Sequence, residues 1–351
     1  MNINKLIRRI KEIPKETKIL IAIILLVIII ATPIIVTNLN KQKLIVFNGS
    51  NLDENRYPKY KELIDNLASE HPNWTFTLLY TKLDWNSVIR HEGHSDTRTS
   101  PLNLVPYSSN YSGEWQCEKD KDKTYDTGDW VCASTKAIEY RMDPRNILNE
   151  ERIFQFKELN YNEEAQTIEG IMSRTDGSFL EGESVAKALL EAAKNSNIDA
   201  YFIVSRLIQE QGKDGTRLSR GYEYNGTVVY NPFNIAASGN STSTILENAA
   251  EYAYSQGWDT LEKAILGGID FLNTKYINKG QNTLYLQKFD IIKKDKLYTN
   301  QYMQNLIAPG SEAVMLQNQY EESDTLDSEF NFIIPLYENM PEEICEEPKN
   351  E

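Results

Sequence analysis

Tyr201-Phe-Ile-Val-Ser-Arg-Leu-Ile-Gln-Glu210-Gln-Gly212 is the stretch on which the reading of this chain turns. It predicts a short helix that carries a carboxylate in its last turn. Asp199 stands where an N-cap side chain accepts a bond from an orphan backbone N–H. Gly212 stands where the left-handed conformation that ends many helices carries no steric cost. Ile203, Leu207 and Glu210 are spaced by four and three residues, so they share one face. Glu210 therefore extends an apolar stripe. A carboxylate held against apolar side chains loses hydration and its pKa rises. That is how a general acid keeps its proton near neutral pH. Taken alone, the same helix also reads as a frayed end with a solvated Glu.

Ten residues downstream comes Gly221-Tyr-Glu-Tyr-Asn225-Gly226-Thr-Val-Val-Tyr230. Asn-Gly between β-rich flanks predicts a two-residue hairpin, because both positions of a type I′ turn need positive φ. In that register Tyr224 faces Thr227 and Tyr222 faces Val229. Asn231-Pro-Phe-Asn-Ile235 leaves the hairpin. Ser184 is read as the cap of a helix to about Lys194, and Thr244 with Glu247 as a capping box opening a helix that Gly257 closes. Thr260 caps a further helix to about Asn278. Gly267 and Gly268 inside that helix cost stability, which points to close packing against a neighbour.

The 351 residues suffice for one large or two modest cores. Residues 1–41 hold seven Lys or Arg against two Glu, a net +5, which leaves −19 for the rest of a chain whose total is −14. So acidic a body repels phosphates and excludes nucleic acid as partner, whereas a neutral glycan is tolerated. Residues 19–36 are uncharged and apolar. With flanks, residues 19–38 reach the roughly 20 residues of a membrane-spanning helix. The preceding basic segment, residues 1–18, places the N-terminus in the cytoplasm and the body outside. The run is longer than a signal-peptide core and no Ala-x-Ala site follows, so it reads as an uncleaved anchor.

Residues 44–165 are read as an N-terminal accessory region. Lys59–Leu67 has helical spacing and Asn73–Tyr80 alternates like a strand. Residues 93–131 are loop-rich. His91-Glu-Gly-His94 with Asp96 lacks the i, i+4 pairing of helical zinc sites and is assigned no metal. Cys117 and Cys132 stand either as one loop-closing disulfide or as free thiols beside Cys345.

An acid at a helix end, a short hairpin after it and helices behind are the parts of a saccharide cleft in lysozyme-like folds. Five further matches follow in order: Ser205–Gly212, Tyr230–Ile235, Gly257-Trp258 with Ala264–Gly268, Gly280–Phe289, and Gln301-Tyr-Met-Gln-Asn305. Over residues 165–310 the chain resembles the family 73 glycoside hydrolases, bacterial endo-β-N-acetylglucosaminidases that cut peptidoglycan. Pro72-Asn-Trp74, Leu83-Asp-Trp85, Met142–Asn146 and Ile334–Tyr337 resemble membrane-anchored Gram-positive members.

The resemblance implies a mainly α (α+β) fold: a lysozyme-like helical domain over residues 166–341, a small β-hairpin lobe, and an acidic tail at 342–351. It implies Glu210 as catalytic acid and Tyr230 beside the hydrolytic centre. Glu223 is the candidate base. Asp214 is the second candidate, and assistance by the substrate's own N-acetyl group needs neither. Gln209, Asp214, Phe233, Asn234 and Ile235 would contact sugar. A Glu210–Glu223 separation of about 6.5–9.5 Å would suit inversion and about 5–5.5 Å retention. Pro232 and Asn300 depart from the aromatic and the His common in the family. No cofactor or metal is implied, and the partners are peptidoglycan strands and the membrane. The alternatives are a lytic transglycosylase on a similar fold and a non-catalytic wall-binding or divisome scaffold.

Overall fold

The first described strand, β1 (Lys43–Val46), leads to helix α1 (Tyr60–Glu70), whose buried Tyr60, Ile64 and Leu67 follow the helical period. Strand β2 (Thr75–Asp84) runs directly into α2 (Trp85–Glu92), with Asp84 capping through a bond from the Ser87 N–H. The structure, a computed structural model, describes residues 42–94, 98–120, 123–125, 128–239, 241–292 and 296–350. The anchor expected at residues 19–38 and Asp96 lie outside them. Among the described residues no helix is long and apolar enough to cross a membrane.

A second small sheet follows, built from β3 (Leu104–Pro106), β4 (Thr124–Tyr125) and β5 (Trp130–Cys132) in the order β3-β5-β4. Cys117 and Cys132 are bonded to each other across it, with Cα atoms 5.5 Å apart, and Cys345 is free. Helix α3 (Thr135–Met142) is capped by Ser134 and ends before Pro144.

The helical body consists of α4 (Ile168–Thr175), α5 (Glu183–Ser196), α6 (Ala200–Gln211) and the short α7 (Arg217–Arg220). Then come the hairpin β6 (Tyr222–Tyr224) and β7 (Thr227–Val229), α8 (Thr242–Ser255), α9 (Leu261–Lys275), α10 (Leu284–Phe289) and α11 (Ala308–Glu322). Strand β8 (Asn331–Glu338) closes the fold by pairing parallel to β2, with Thr75 opposite Asn331 and Tyr80 opposite Leu336. The sheet order is β1-β2-β8, so β8 lies at an edge, where Pro335 is tolerated.

Among the described residues helix makes up 45% and strand 13%, an α+β fold in which helix predominates over strand. Leu44–Glu351 forms one compact unit, and residues on both sides of position 165 share its core. Phe332 of β8 stacks on Phe76 of β2, with ring centroids 5.7 Å apart, and meets Trp74 at 4.7 Å. Strand β2 is the bridge between the two halves of the sequence.

Local differences from expectation have simple causes. Helix α5 begins at Glu183, after Gly182, and Ser184 makes no cap. Helix α8 is capped by Ser241, whose hydroxyl accepts from the Thr244 N–H, so the Thr244–Glu247 box does not form. The run Ser241-Thr-Ser-Thr244 offers several short hydroxyls, and the first of them wins.

Candidate active site

Helix α6 is fixed at both ends. Asp199 accepts from the Phe202 N–H at 2.9 Å, and its other oxygen takes the Lys157 ammonium at 2.7 Å and the Tyr320 hydroxyl at 2.6 Å. A buried cap with both carboxylate oxygens engaged specifies where the helix starts. Gly212 ends it at φ 70° and ψ 167°, outside the left-handed helical region but still a conformation that favours glycine. Ile203 and Leu207 are fully buried beneath Glu210, as the shared face requires.

Glu210 itself is half-buried, and it meets donors, not the purely apolar wall expected. Tyr302 donates its hydroxyl proton to Glu210 Oε1 at 2.8 Å, and Asn234 Nδ2 donates to Oε2 at 3.4 Å. Burial pushes the Tyr302 phenol well above its ordinary pKa. Arg206 pulls it down, and the charges of Glu210 and Glu312 add to the rise. Tyr302 therefore stays protonated and acts as a donor.

Beneath Tyr302 lies Arg206, its guanidinium carbon 3.9 Å from the ring centroid. Arg206 pairs with Glu312 of α11 at 2.6 Å and donates to Gln287 at 3.1 Å, all inside the core. Burial alone would lower the Arg206 pKa, but Glu312 and Tyr302 outweigh it and hold the guanidinium charged.

The loop that presents Tyr302 is clamped from two sides. On one side Gln301 Nε2 donates to both Glu92 oxygens at 2.9 and 2.8 Å, and Asn103 Nδ2 donates to Glu92 at 2.9 Å. On the other, Lys288 Nζ donates to the Met303 carbonyl at 2.9 Å. The Leu104 N–H of β3 donates to the Gln304 carbonyl at 2.9 Å. Glu92 and Leu104 belong to the N-terminal region. That region thus supports the residue that touches Glu210.

Glu210 opens onto a groove of about 620 Å³. Thr216, Arg217 and Asn234 line it beside Glu210, and Ile245 and Leu246 of α8 form an apolar wall. The hairpin packs behind α8, with the Tyr224 and Tyr254 rings 5.7 Å apart. Its turn has Asn225 at φ 49° and Gly226 at φ 75°, and its pairs are Tyr224–Thr227 and Tyr222–Val229, as expected.

The other sequence-derived candidates are spread more widely. Asn234 lines the groove at φ 52°. Gln209 is half-buried beside Glu210, and its Oε1 has no hydrogen-bond partner among the described residues. Phe233 and Ile235 are buried. Phe233 packs on Gly268 so tightly that a Cβ there would lie 2.0 Å from its ring, and Gly267 faces the Trp258 indole in the same way at 2.3 Å. Both glycines therefore serve close packing. Phe233 anchors the loop that carries Asn234. Gln211 Nε2 holds the same loop through the Pro232 carbonyl at 2.8 Å.

Tyr230 is half-buried against Gly221, and its N–H donates to the Trp258 carbonyl at 2.9 Å. Glu223 and Asp214 are exposed, and neither they nor Tyr230 is among the residues lining the groove. Tyr302, Arg206 and Glu92 stand inside stretches quoted from the sequence but carry no role there, and nothing in the sequence singles out Glu312. Two clusters among the described residues have metal-ligand spacing, Glu70-His71-Glu150 and the bonded Cys117-Cys132 with Asp120. Neither includes a groove residue.

A helix-borne carboxylate thus lines an open groove, with a β-hairpin packed against the helix of one wall and helices beneath, the arrangement expected above of a lysozyme-like fold. No protein-family model matches the chain. It is 32% identical over 168 residues to a beta-N-acetylglucosaminidase of Bacillus subtilis (strain 168), a match covering 46% of this chain and 18% of that protein. It is 26% identical over 223 residues to a bifunctional autolysin of Staphylococcus aureus (strain MSSA476), covering 60% of this chain and 17% of that one. The chain thus spans less than a fifth of these curated relatives. Its fold matches the crystal structures of the Major Bifunctional Autolysin and of S. aureus glucosaminidase B, each with a TM-score of 0.51 and 23% identity over 75% of this chain. Those matches cover 98% and 93% of the solved chains, respectively. Over the matched residues the chain is thus similar to bacterial glucosaminidases and autolysins, and it shares the fold of two solved ones.

Proposed function

We propose that the protein hydrolyses the β-1,4 bond between N-acetylglucosamine and N-acetylmuramic acid in peptidoglycan, leaving N-acetylglucosamine at the new reducing end. One observation carries this reading: Glu210 sits at the groove with its carboxylate gripped by Tyr302 and Asn234. The printed names of the relatives, glucosaminidase and autolysin, agree with it. Protonated Glu210 would give its proton to O4 of the departing muramic acid, and Tyr302 would orient the carboxyl group. Ile245 and Leu246 would pack on apolar sugar faces.

Among the described residues lining the groove, Glu210 is the one carboxylate. This favours assistance by the substrate. The acetamido oxygen of the N-acetylglucosamine would attack its own anomeric carbon as the muramic oxygen leaves, and water would then open the cyclic intermediate with net retention. A direct water attack with Glu223 as base would invert instead. Proton NMR of the first-formed anomer separates the two routes: the β anomer supports assistance, the α anomer supports Glu223. Mass spectrometry of the muropeptides tests the bond assignment. Reducing N-acetylglucosamine ends support it, whereas 1,6-anhydro-muramic ends would identify a lytic transglycosylase.

Residues 19–38 would anchor the enzyme in the cell membrane with residues 1–18 in the cytoplasm and the catalytic groove facing the wall. Within the one compact unit, residues 166–341 would carry the catalytic groove, residues 44–165 would be an accessory part that supports it, and residues 342–351 a tail. No nucleic acid is involved, given the acidic body.

A further inference from the structure

Arg206 stands four residues before Glu210 on α6, one turn below it. At that spacing an Arg and a Glu can pair directly on a helix surface. Here Arg206 turns inward instead. Its guanidinium carbon lies 4.8 Å from the Phe202 ring centroid and 3.9 Å from that of Tyr302. Its counter-charge is Glu312 of α11, 2.6 Å from Nη2. The Tyr302 ring that covers Arg206 carries the hydroxyl that donates to Glu210 at 2.8 Å. Glu312, Arg206 and Tyr302 thus form one connected path from the core to the carboxyl at the groove.

A pair built for stability alone would look different. Arg206 and Glu312 are both fully buried, yet Arg206 Nη1 and Glu312 Oε1 have no hydrogen-bond partner among the described residues. Apolar side chains of similar volume commonly match or exceed the stability of such a pair. What they would not supply is a fixed charge under the Tyr302 ring. Burial raises the Tyr302 pKa and Arg206 pulls it down, which makes the hydroxyl a stronger donor. Burial pushes Glu312 toward its neutral form and Arg206 draws it back. The other titratable or charged groups here are Tyr276, whose ring meets Tyr302 edge-on at 5.3 Å, Asp290, which acts on Tyr276, and Arg217 in the groove wall.

We propose that Arg206 and Glu312 are positioning residues for Glu210: through the Tyr302 ring the guanidinium holds the phenol hydroxyl on the Glu210 carboxyl, and Glu312 cancels the charge that Glu210 would otherwise feel. Neither residue lines the groove. The assignment rests on the reading of Glu210 as the acid. The two halves of the pair fail differently, because a guanidinium cannot shed its proton whereas a stranded buried carboxylate can take one up. Glu312→Gln therefore strands a cation beneath Tyr302 and favours ionised Glu210. Removing both charges strands nothing.

The test is the pH profile of kcat/KM on purified peptidoglycan, with the full chain and with circular dichroism of each variant. The basic limb of that profile reports the group that must be protonated in the free enzyme. Glu312→Gln is expected to move the limb down by about one pH unit, the smaller end of what one nearby charge does. Arg206→Gln combined with Glu312→Gln should return the limb to that of the unaltered protein. In that double variant kcat should stay about tenfold low, one hydrogen bond's worth, because the cation under Tyr302 is gone. Arg206→Lys keeps the charge and loses the planar stack, so the limb should hold while kcat falls. A limb that stays put in Glu312→Gln, or one that does not return in the double variant, would overturn the assignment. Where Glu312→Gln does not fold, the double variant and Arg206→Lys decide, and an unchanged kcat in both overturns it. Carbon-13 NMR of the Glu210 carboxyl, assigned with Glu210→Gln, reads the same displacement without turnover. If the unaltered protein releases no reducing ends, the enzymatic reading fails, while that titration still decides the role of the pair.

Discussion

Tyr302 donates a hydrogen bond to Glu210 at 2.8 Å across 92 residues of sequence, and Arg206 lies 3.9 Å beneath the Tyr302 ring. The proposed acid is therefore held by a loop that the N-terminal region clamps, and not only by its own helix. Replacing Tyr302 by Phe removes one hydrogen bond to a carboxyl group and leaves the ring over Arg206. The expected loss is roughly 1.5–3 kcal/mol of carboxyl orientation, or about ten- to a hundredfold in kcat, with KM and melting temperature nearly unchanged. Steady-state kinetics on purified wall measure the split. A rise in KM at constant kcat would assign Tyr302 to substrate binding instead.

Glu92 is fully buried and receives donors from Gln301 and Asn103. Burial raises its pKa, against the opposing pull of Lys288, Asn103 and Gln301. Glu92→Gln would set an amide N–H against those donors. A destabilisation of about 1–3 kcal/mol is expected, with activity falling below what the remaining folded fraction explains, because Gln301 adjoins Tyr302. Denaturant titration beside kinetics checks both parts. Full activity per folded molecule would show that the clamp does not reach Glu210.

Gly268 lies where a Cβ would come 2.0 Å from the Phe233 ring. Alanine is the better helix former by up to about 1 kcal/mol, yet the clash should prevail. Gly268→Ala is expected to cost about 1–3 kcal/mol and to displace the Asn234 loop. Adding Phe233→Leu should recover part of the loss, a coupling that a double-mutant cycle measures.

Burial lowers the Lys288 pKa from its ordinary 10.5 to about 8, despite the support of Glu92. Between pH 8 and 10.5 the unfolded chain then binds more protons than the folded one, so this group makes stability rise with pH across that window. The full span is worth roughly 3 kcal/mol. Raised tyrosines act in the opposite sense, so the comparison must be between variants. Lys288→Met should remove the rising contribution, seen as a stability difference from the unaltered protein that changes across pH 8–10. A pH-independent difference would mean that Lys288 is not depressed.

Much of this arrangement is legible from local chemistry. Asn225-Gly226 fixes the hairpin and its register, Asp199 and Gly212 bracket the Glu210 helix, and Gly267-Gly268 announces a close contact. What escapes is non-local. Strand β8 pairs with β2 across the whole chain, and strands buried on both faces show no alternation that names a partner. Tyr302 sits in a loop, where no periodicity signals which way a side chain faces. The groove's second side also escapes: the helix carrying Ile245 and Leu246 is legible but nothing in it signals a cleft wall, while Phe233, read as a sugar contact, is buried in packing. Glu223 fell on a strand position facing solvent because pairing parity alone does not say which face looks into a cleft.

The most direct measurement of the central claim is turnover of purified peptidoglycan by Glu210→Gln, followed as released reducing ends, beside circular dichroism melting of the same preparation. The account predicts an unchanged fold and a rate lowered by about a thousandfold, the scale of a lost general acid. A folded variant that retains activity within about tenfold of the unaltered protein, less than the smallest contribution expected of such a group, would contradict it.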